Sequence, residues 1–266
     1  MSLALAPLLL LSGIAAASLV GRRADAAERP PILRAPRAAA PLAARNPARS
    51  VGGSERTDGS RPRRGSPEHL LADIERSMPL FARPGGTRVI GRVPAASPTY
   101  GEPTVAWILE VSRDGRFGRV PIPYVGRQGT GWLRLRGLRV RSSPVSVRAD
   151  LSRHRLWLLR GDRAVFSTRA ATGAPVSPTP TGRYVVSDLV AFPAGGPFGS
   201  YAFGLSGIQP NLPPGWTGGD QLAIHGTSDP ASIGRSVSAG CLRVSERALD
   251  RLRRLLEVGT PVVVTA

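Results

Sequence analysis

Lysine is absent from this 266-residue chain, so all 36 basic residues are arginine, and against 18 acidic residues they leave a net charge of +18. Arginine in every basic position reads as a GC-rich coding bias rather than a functional choice. Cysteine is almost absent: Cys241 stands alone, which excludes an intramolecular disulfide framework. Histidine is scarce too, with only His69, His154 and His225. Three imidazoles and one thiol show no ligand-type spacing, so neither a metal nor another cofactor is expected. The arginines are scattered and carry no recognised nucleic-acid motif, so no nucleic-acid partner is expected despite the charge. What is plentiful is turn-forming: 31 Gly and 26 Pro beside 41% hydrophobic residues indicate a globular, β-rich protein of one or two domains with a flexible portion.

The apolar stretch 3–20 is followed by Ala24-Asp25-Ala26, an A-x-A-like cleavage site, which predicts a signal peptide over 1–26 and an exported protein. A membrane anchor at 3–20 is the alternative, since no Arg or Lys precedes the stretch and Arg22 and Arg23 follow it. Residues 27–65 have almost no large apolar side chains and read as a disordered Arg/Pro/Ala linker. Over 1–65, eleven arginines face four carboxylates, net +7, which fits either a tether near an anionic polymer or a plain solvated spacer. Ser66-Pro67-Glu68 carries N-cap, first-turn proline and first-turn acid signals, predicting a short helix to about Arg76.

Residues 79–137 hold short β-prone pieces around Leu80, Val89, Val105–Val111, Arg119–Ile122 and Gly131–Leu135, separated by Gly, Pro and Asp turns. They resemble a small bacterial SH3-like β-barrel, in which Trp107 and Trp132 would fill the core or stack on a ligand. From 138 to 266 the pattern continues: strands over 145–150, 155–159 and 164–168, a Gly/Pro/Thr loop over 170–184, and aromatic, glycine-rich loops over 191–205 and 211–220. Ser245–Leu256 has helical apolar spacing with Ser245 as cap, and Thr260–Thr265 reads as a closing buried strand. His69 and His154 read as surface residues.

The chemistry concentrates in Leu222–Val244, LAIHGTSDPASIGRSVSAGCLRV. A thiol needs an imidazole or N–H dipoles beside it to act as a nucleophile near neutral pH. The run Gln221–Ile224 reads as a strand that would hold His225 at its end, and Gly240 allows the backbone near Cys241 to approach a bound carbonyl. His225-Gly226-Thr227 followed by Ser238-x-Gly240-Cys241-Leu242-Arg243 resembles the signature of the L,D-transpeptidase catalytic domain, the YkuD-type family. The likeness extends through Pro178–Tyr184 and Gly259–Val263, covering roughly 138–266. One position departs: where the family most often has a second histidine before Gly-Cys, this chain has Ala239.

The resemblance implies a mainly β fold: a YkuD-type β-sandwich or mixed-sheet catalytic domain with one helix on the C-terminal side, preceded by the SH3-like barrel. It implies a Cys241 nucleophile, a His225 base oriented by the Gly226 carbonyl, and backbone N–H groups of Gly240 and Cys241 for the oxyanion. Ser238, Arg243 and Tyr201 are candidate substrate contacts, with Arg243 equally suited to a salt bridge inside the fold. The implied partners are peptidoglycan stem peptides, with carbapenem-type β-lactams as inhibitors acylating Cys241, on the extracytoplasmic, cell-wall side of a bacterium. A non-catalytic or carboxypeptidase-like wall-binding protein is the alternative. A papain-like order is excluded because there the cysteine precedes the histidine.

Overall fold

A computed structural model describes residues 68–126, 128–193 and 195–266; the expected signal or anchor and the linker lie outside them. The first part of the chain forms β1 (His69–Ile74), β2 (Met78–Phe81), β3 (Val89–Val93), β4 (Thr104–Ile108), β5 (Glu110–Val111), β6 (Phe117–Pro121), β7 (Thr130–Arg134) and β8 (Val140–Ser143). They assemble as a three-stranded sheet, β4-β1-β8, and a five-stranded sheet, β3-β2-β7-β6-β5.

The helix expected to run to about Arg76 is corrected here: His69–Ile74 is a strand. Helix-start signals contribute about 1 kcal/mol locally. That is outweighed where β1 pairs with β4 on one side and β8 on the other, burying Leu71, Ala72 and Ile74. Ile74, Met78, Leu80, Ile108, Val120 and Leu133 fill a core between these sheets.

The second part contains β9 (Val145–Asp150), β10 (Arg155–Arg160), β11 (Arg163–Arg169), β12 (Thr172–Gly173), β13 (Gly182–Ala191), β14 (Tyr201–Ile208), β15 (Gln221–His225), β16 (Ser236–Ser238), β17 (Leu242–Arg243) and β18 (Pro261–Thr265), with helix α1 (Glu246–Arg253) before β18. Eight of these make one mixed sheet in the order β11-β10-β9-β18-β13-β14-β15-β17. Only β18 with β9 and β15 with β17 are parallel within it. Among the described residues the fold is thus mainly β with one α-helix on the C-terminal side.

Ser245 caps α1 by accepting from the Ala248 N–H at 3.3 Å, and Ala248, Leu249 and Leu252 turn inward. They join Val147, Leu158, Val186, Phe203, Ile224, Val262 and their neighbours in the main core.

Leu71, Val105 and Trp107 pack against Val185 of β13 and Val263 of β18, so an apolar seam joins the two parts. Trp107 is 7% exposed in that seam and acts as core. His69, expected at the surface, is half-buried, its ring edge-on to Trp107 at 5.4 Å. His154 sits in the β9–β10 turn at φ 48 and meets the Ser236 hydroxyl at 3.0 Å. Among the described residues, no helix is long and apolar enough to cross a membrane.

Candidate active site

Leu222 and Ile224 of β15 point into the main core, so strand alternation places Gln221, Ala223 and His225 on the opposite face. The parallel partner β17 pairs Ile224 with Leu242 and His225 with Arg243. Leu242 is likewise in the core, which turns Cys241 and Arg243 to the same face as His225. Cys241 then falls beside Ala223, one strand over and two residues back from His225. With ordinary strand spacings the two Cα atoms are about 8 Å apart, a diagonal that a cysteine and a histidine side chain can span.

The turn carrying Cys241 is tightly specified. Gly240 adopts φ +116, a region that disfavours any side chain, and a Cβ there would collide with the Gln209 amide nitrogen. Gln209 is buried, donating to the carbonyls of Pro178 (2.9 Å) and Ser177 (3.3 Å) while its own oxygen accepts from the Asn211 N–H (3.0 Å). It therefore ties three loops beneath the nucleophile.

Ser238 closes the turn: its hydroxyl donates to the Cys241 carbonyl at 2.6 Å and accepts from the Gly240 N–H at 3.1 Å. These contacts correct two expectations. Ser238 is 2% exposed and shapes the loop rather than facing a substrate. The Gly240 N–H is already engaged, which leaves the Cys241 N–H, without a hydrogen-bond partner among the described residues, as the free donor at the turn.

Tyr201 is also corrected: at 5% exposure it packs edge-on to Phe203 in the core, with the Arg253 guanidinium 4.6 Å from its ring centre. Alternation along β14 drives it inward.

His225 is 3% exposed. Its Nδ1 lies 2.5 Å from the Gly226 carbonyl, which can only accept, so the proton is on Nδ1 and Nε2 carries the lone pair. Burial pushes the imidazole pKa down to about 4; the Gly226 and Phe198 carbonyls oppose this, and the Arg243 charge adds to it.

The Cys241 thiol donates to the Gln221 carbonyl at 3.8 Å and, among the described residues, not to His225. Burial raises its pKa to about 11, partly countered by the Ala223 N–H and by Arg243. Near neutral pH the resting pair is a neutral thiol and a neutral imidazole. Arg243 forms no salt bridge among the described residues, and its buried Nε has no partner. Its backbone exchanges two hydrogen bonds with Ala171, which fixes β17 against the β11–β12 connection.

Four functional neighbours went unnoticed in the sequence: Gln209, Gln221, Phe198 and Glu246. Gln221 holds the buried Asp188 carboxylate at 2.6 Å while its carbonyl receives the thiol. The Phe198 ring stands edge-on to His225 at 5.2 Å. Their spacing carries no periodic signal; only the glycines beside them, Gly199 and Gly240, marked the places where backbone and side chain crowd.

The family profile described as YkuD, L,D-transpeptidase catalytic domain, matches residues 144–264. Two curated Bacillus proteins provisionally named L,D-transpeptidase YkuD are similar. The one from B. licheniformis is 34% identical over 46% of this chain, and the one from B. subtilis is 31% identical over 46%. The chain spans 66% of the length of each, just under two thirds.

Among solved structures, L,D-transpeptidase from Mycobacterium smegmatis is similar at 15% identity, covering 73% of this chain and 99% of that one with a TM-score of 0.39. L,D-transpeptidase 3 from Mycobacterium tuberculosis, in complex with a faropenem-derived adduct, is similar at 19% identity over 52% of this chain and 73% of that one, TM-score 0.37. By the profile match and the two Bacillus relatives, residues 144–264 of this chain are similar to the YkuD family of L,D-transpeptidase catalytic domains.

Proposed function

We propose that the protein is a cysteine-dependent L,D-transpeptidase that cross-links peptidoglycan stem peptides on the extracytoplasmic side of a bacterium. The observation that carries this reading is His225, its Nδ1 on the Gly226 carbonyl and its place in the β15–β17 register on the same face as Cys241. A backbone carbonyl here does what a carboxylate does in a triad, fixing tautomer and orientation. The neutral resting pair makes His225 a general base rather than half of an ion pair.

Rotation about χ1 swings Sγ from the Gln221 carbonyl to the imidazole. As Sγ attacks the donor amide carbonyl, its proton passes to Nε2 and the Cys241 N–H meets the oxyanion. Collapse breaks the C–N bond, the departing D-alanine amine takes the proton from His225, and a thioester remains. The side-chain amine of a second stem then attacks the thioester, gives its proton to His225, and the released thiolate takes it back. The donor is a tetrapeptide stem, and Arg243, whose Nε lacks a partner among the described residues, meets its carboxylate. The SH3-like part orients the catalytic domain on the polymer.

The test is intact mass of the protein after mixing with a carbapenem, beside folded Cys241→Ala and His225→Ala forms. A covalent adduct on the parent, absent with Cys241→Ala and formed at least about 100-fold more slowly with His225→Ala, is expected. A folded parent that gives no adduct and does not process a tetrapeptide stem overturns the reading and leaves a non-catalytic wall-binding protein. An adduct together with release of D-alanine to water, and no cross-link, makes it a carboxypeptidase instead.

A further inference from the structure

The connection between β13 and β14, residues 192–200, contains no titratable side chain, yet it covers the histidine that shares a face with Cys241. Phe192 and Phe198 stack at 5.4 Å, and Phe198 stands edge-on to the imidazole at 5.2 Å and 75°. The loop closes on itself through Phe192 N–H to the Ser200 carbonyl and Gly199 N–H to the Gly196 carbonyl, both 3.0 Å.

Its far corner is held from outside. Glu246, the first residue of α1, accepts from the Ser200 hydroxyl at 2.6 Å and from the Ser200 N–H at 3.3 Å. Gly199 and Gly226 press against the same carboxylate: a Cβ on either would collide with Glu246 Oε1, and one on Gly226 would come within 2.9 Å of the Gly199 Cα.

The carboxylate thus sits where three segments meet. These are the loop bearing Phe198, the residue whose carbonyl orients His225, and the helix that follows the nucleophile strand. The helix cap does not require it, because Ser245 already fills that role.

We propose that Glu246 is a positioning residue for His225: its carboxylate clasps the Gly199–Ser200 corner and so holds Phe198 against the imidazole, keeping the base dry. This rests on the reading of His225 as the base. The other groups facing His225 are Arg243 on β17, Cys241 before it and Ala202 on β14, and of these only Arg243 is charged at neutral pH. Burial is the largest cause of the depressed imidazole pKa, so loosening the loop admits water and raises it.

The test is a titration of the histidine ring signals in the full-length, 15N-histidine-labelled chain, which has only three histidines to assign. In the parent the His225 midpoint is expected near 4. Glu246→Ala and Phe198→Ala should each raise it by about one unit or more toward the ordinary value of about 6.5, leaving His69 and His154 unmoved. Glu246→Gln should restore part of the shift, since its amide oxygen still accepts from Ser200.

A folded Glu246→Ala protein with the parent midpoint overturns the proposal, as does movement in Phe198→Ala alone. Should Glu246→Ala not fold, Ser200→Ala removes the shortest bond without touching the helix. A smaller shift in the same direction supports the clasp, and no shift overturns it. The titration uses no substrate, so a parent that takes no carbapenem adduct defeats the proposed function while the clasp is still tested.

Discussion

The two ends of the eight-stranded sheet are built on different terms. At one end β9 and β10 run through six consecutive residue pairs and β18 adds four more against β9, the one register shift lying between β10 and the edge strand β11 at Leu158/Leu159. At the other, β13–β14 and β14–β15 both lose register, between Val186 and Asp188 and between Gly204 and Ile208. Buried polar groups cluster where the register breaks: Ser187, Asp188, Ser206, Gln209, His225 and Ser238 are all at most 6% exposed. Bulges re-aim side chains, and buried polar atoms must each find a partner. The regular end is held by apolar area, which tolerates repacking, and the irregular end by a hydrogen-bonded lattice, which does not. The nucleophile sits in the second.

Gly240→Ala should show the largest effect. The new Cβ meets the Gln209 amide in a backbone region that alanine avoids, so either the turn or the Gln209 lattice must give. Loss of about 4 kcal/mol of stability, or a folded protein acylated at least about 100-fold more slowly, is expected from denaturant unfolding and adduct kinetics. Parent-like behaviour in both would break the comparison.

Leu158→Ala probes the other end. Leu158 is 1% exposed in the main core, so truncation should cost about 3 kcal/mol, with the acylation rate of the folded fraction unchanged. A stability loss accompanied by a matching fall in that rate would show the two ends to be one unit.

The sequence made the regular end legible because Val145–Asp150 alternates, Arg155–Leu159 is a short apolar run after a turn, and Gly161-Asp162 marks the hairpin. It also made the His225, Gly226 and Cys241 constellation legible, since a strand end, two glycines and a motif all coincide there. It could not reveal Gln209 or Glu246, whose partners lie 31 and 46 residues away and are chosen by loop closure. It misplaced Ser238 and Tyr201 for one reason: a polar or aromatic residue near a nucleophile looks like a contact until burial is known. β1 shows the converse, local helix signals being overridden by pairing on both sides.

The pH dependence of stability should sharpen the contrast at about 3 kcal/mol. His225 falls from an ordinary 6.5 to about 4 on folding, so between those values the unfolded chain binds more protons. Stability from this group is therefore full above about 6.5 and is lost as pH falls toward 4. At about 1.4 kcal/mol per unit the total is roughly 3 kcal/mol. Urea unfolding at pH 7.5 and pH 4 should show that loss in the parent and not in His225→Gln. Cys241 works at the other extreme: its raised pKa removes stability as pH climbs from about 9 to about 11. An equal acid loss in His225→Gln would assign it to other groups and weaken the case for a dry base.

The smallest expected effect is at Val165, 42% exposed on the edge strand β11. Threonine keeps the β-branched shape that suits a strand and adds a hydroxyl that water can reach, so no buried polar atom is created. Val165→Thr should alter stability by no more than about 0.5 kcal/mol and leave the carbapenem adduct rate unchanged. A hydroxyl added at Ala202, 7% exposed and paired with His225, would instead have to find a partner inside the lattice. If Val165→Thr slowed acylation, the outer hairpin would be coupled to the nucleophile turn through the segment just past β11, where Ala171 and Arg243 exchange hydrogen bonds of 2.8 and 3.1 Å. Those bonds involve backbone alone, which an exposed side chain six strands from β15 has no means to disturb.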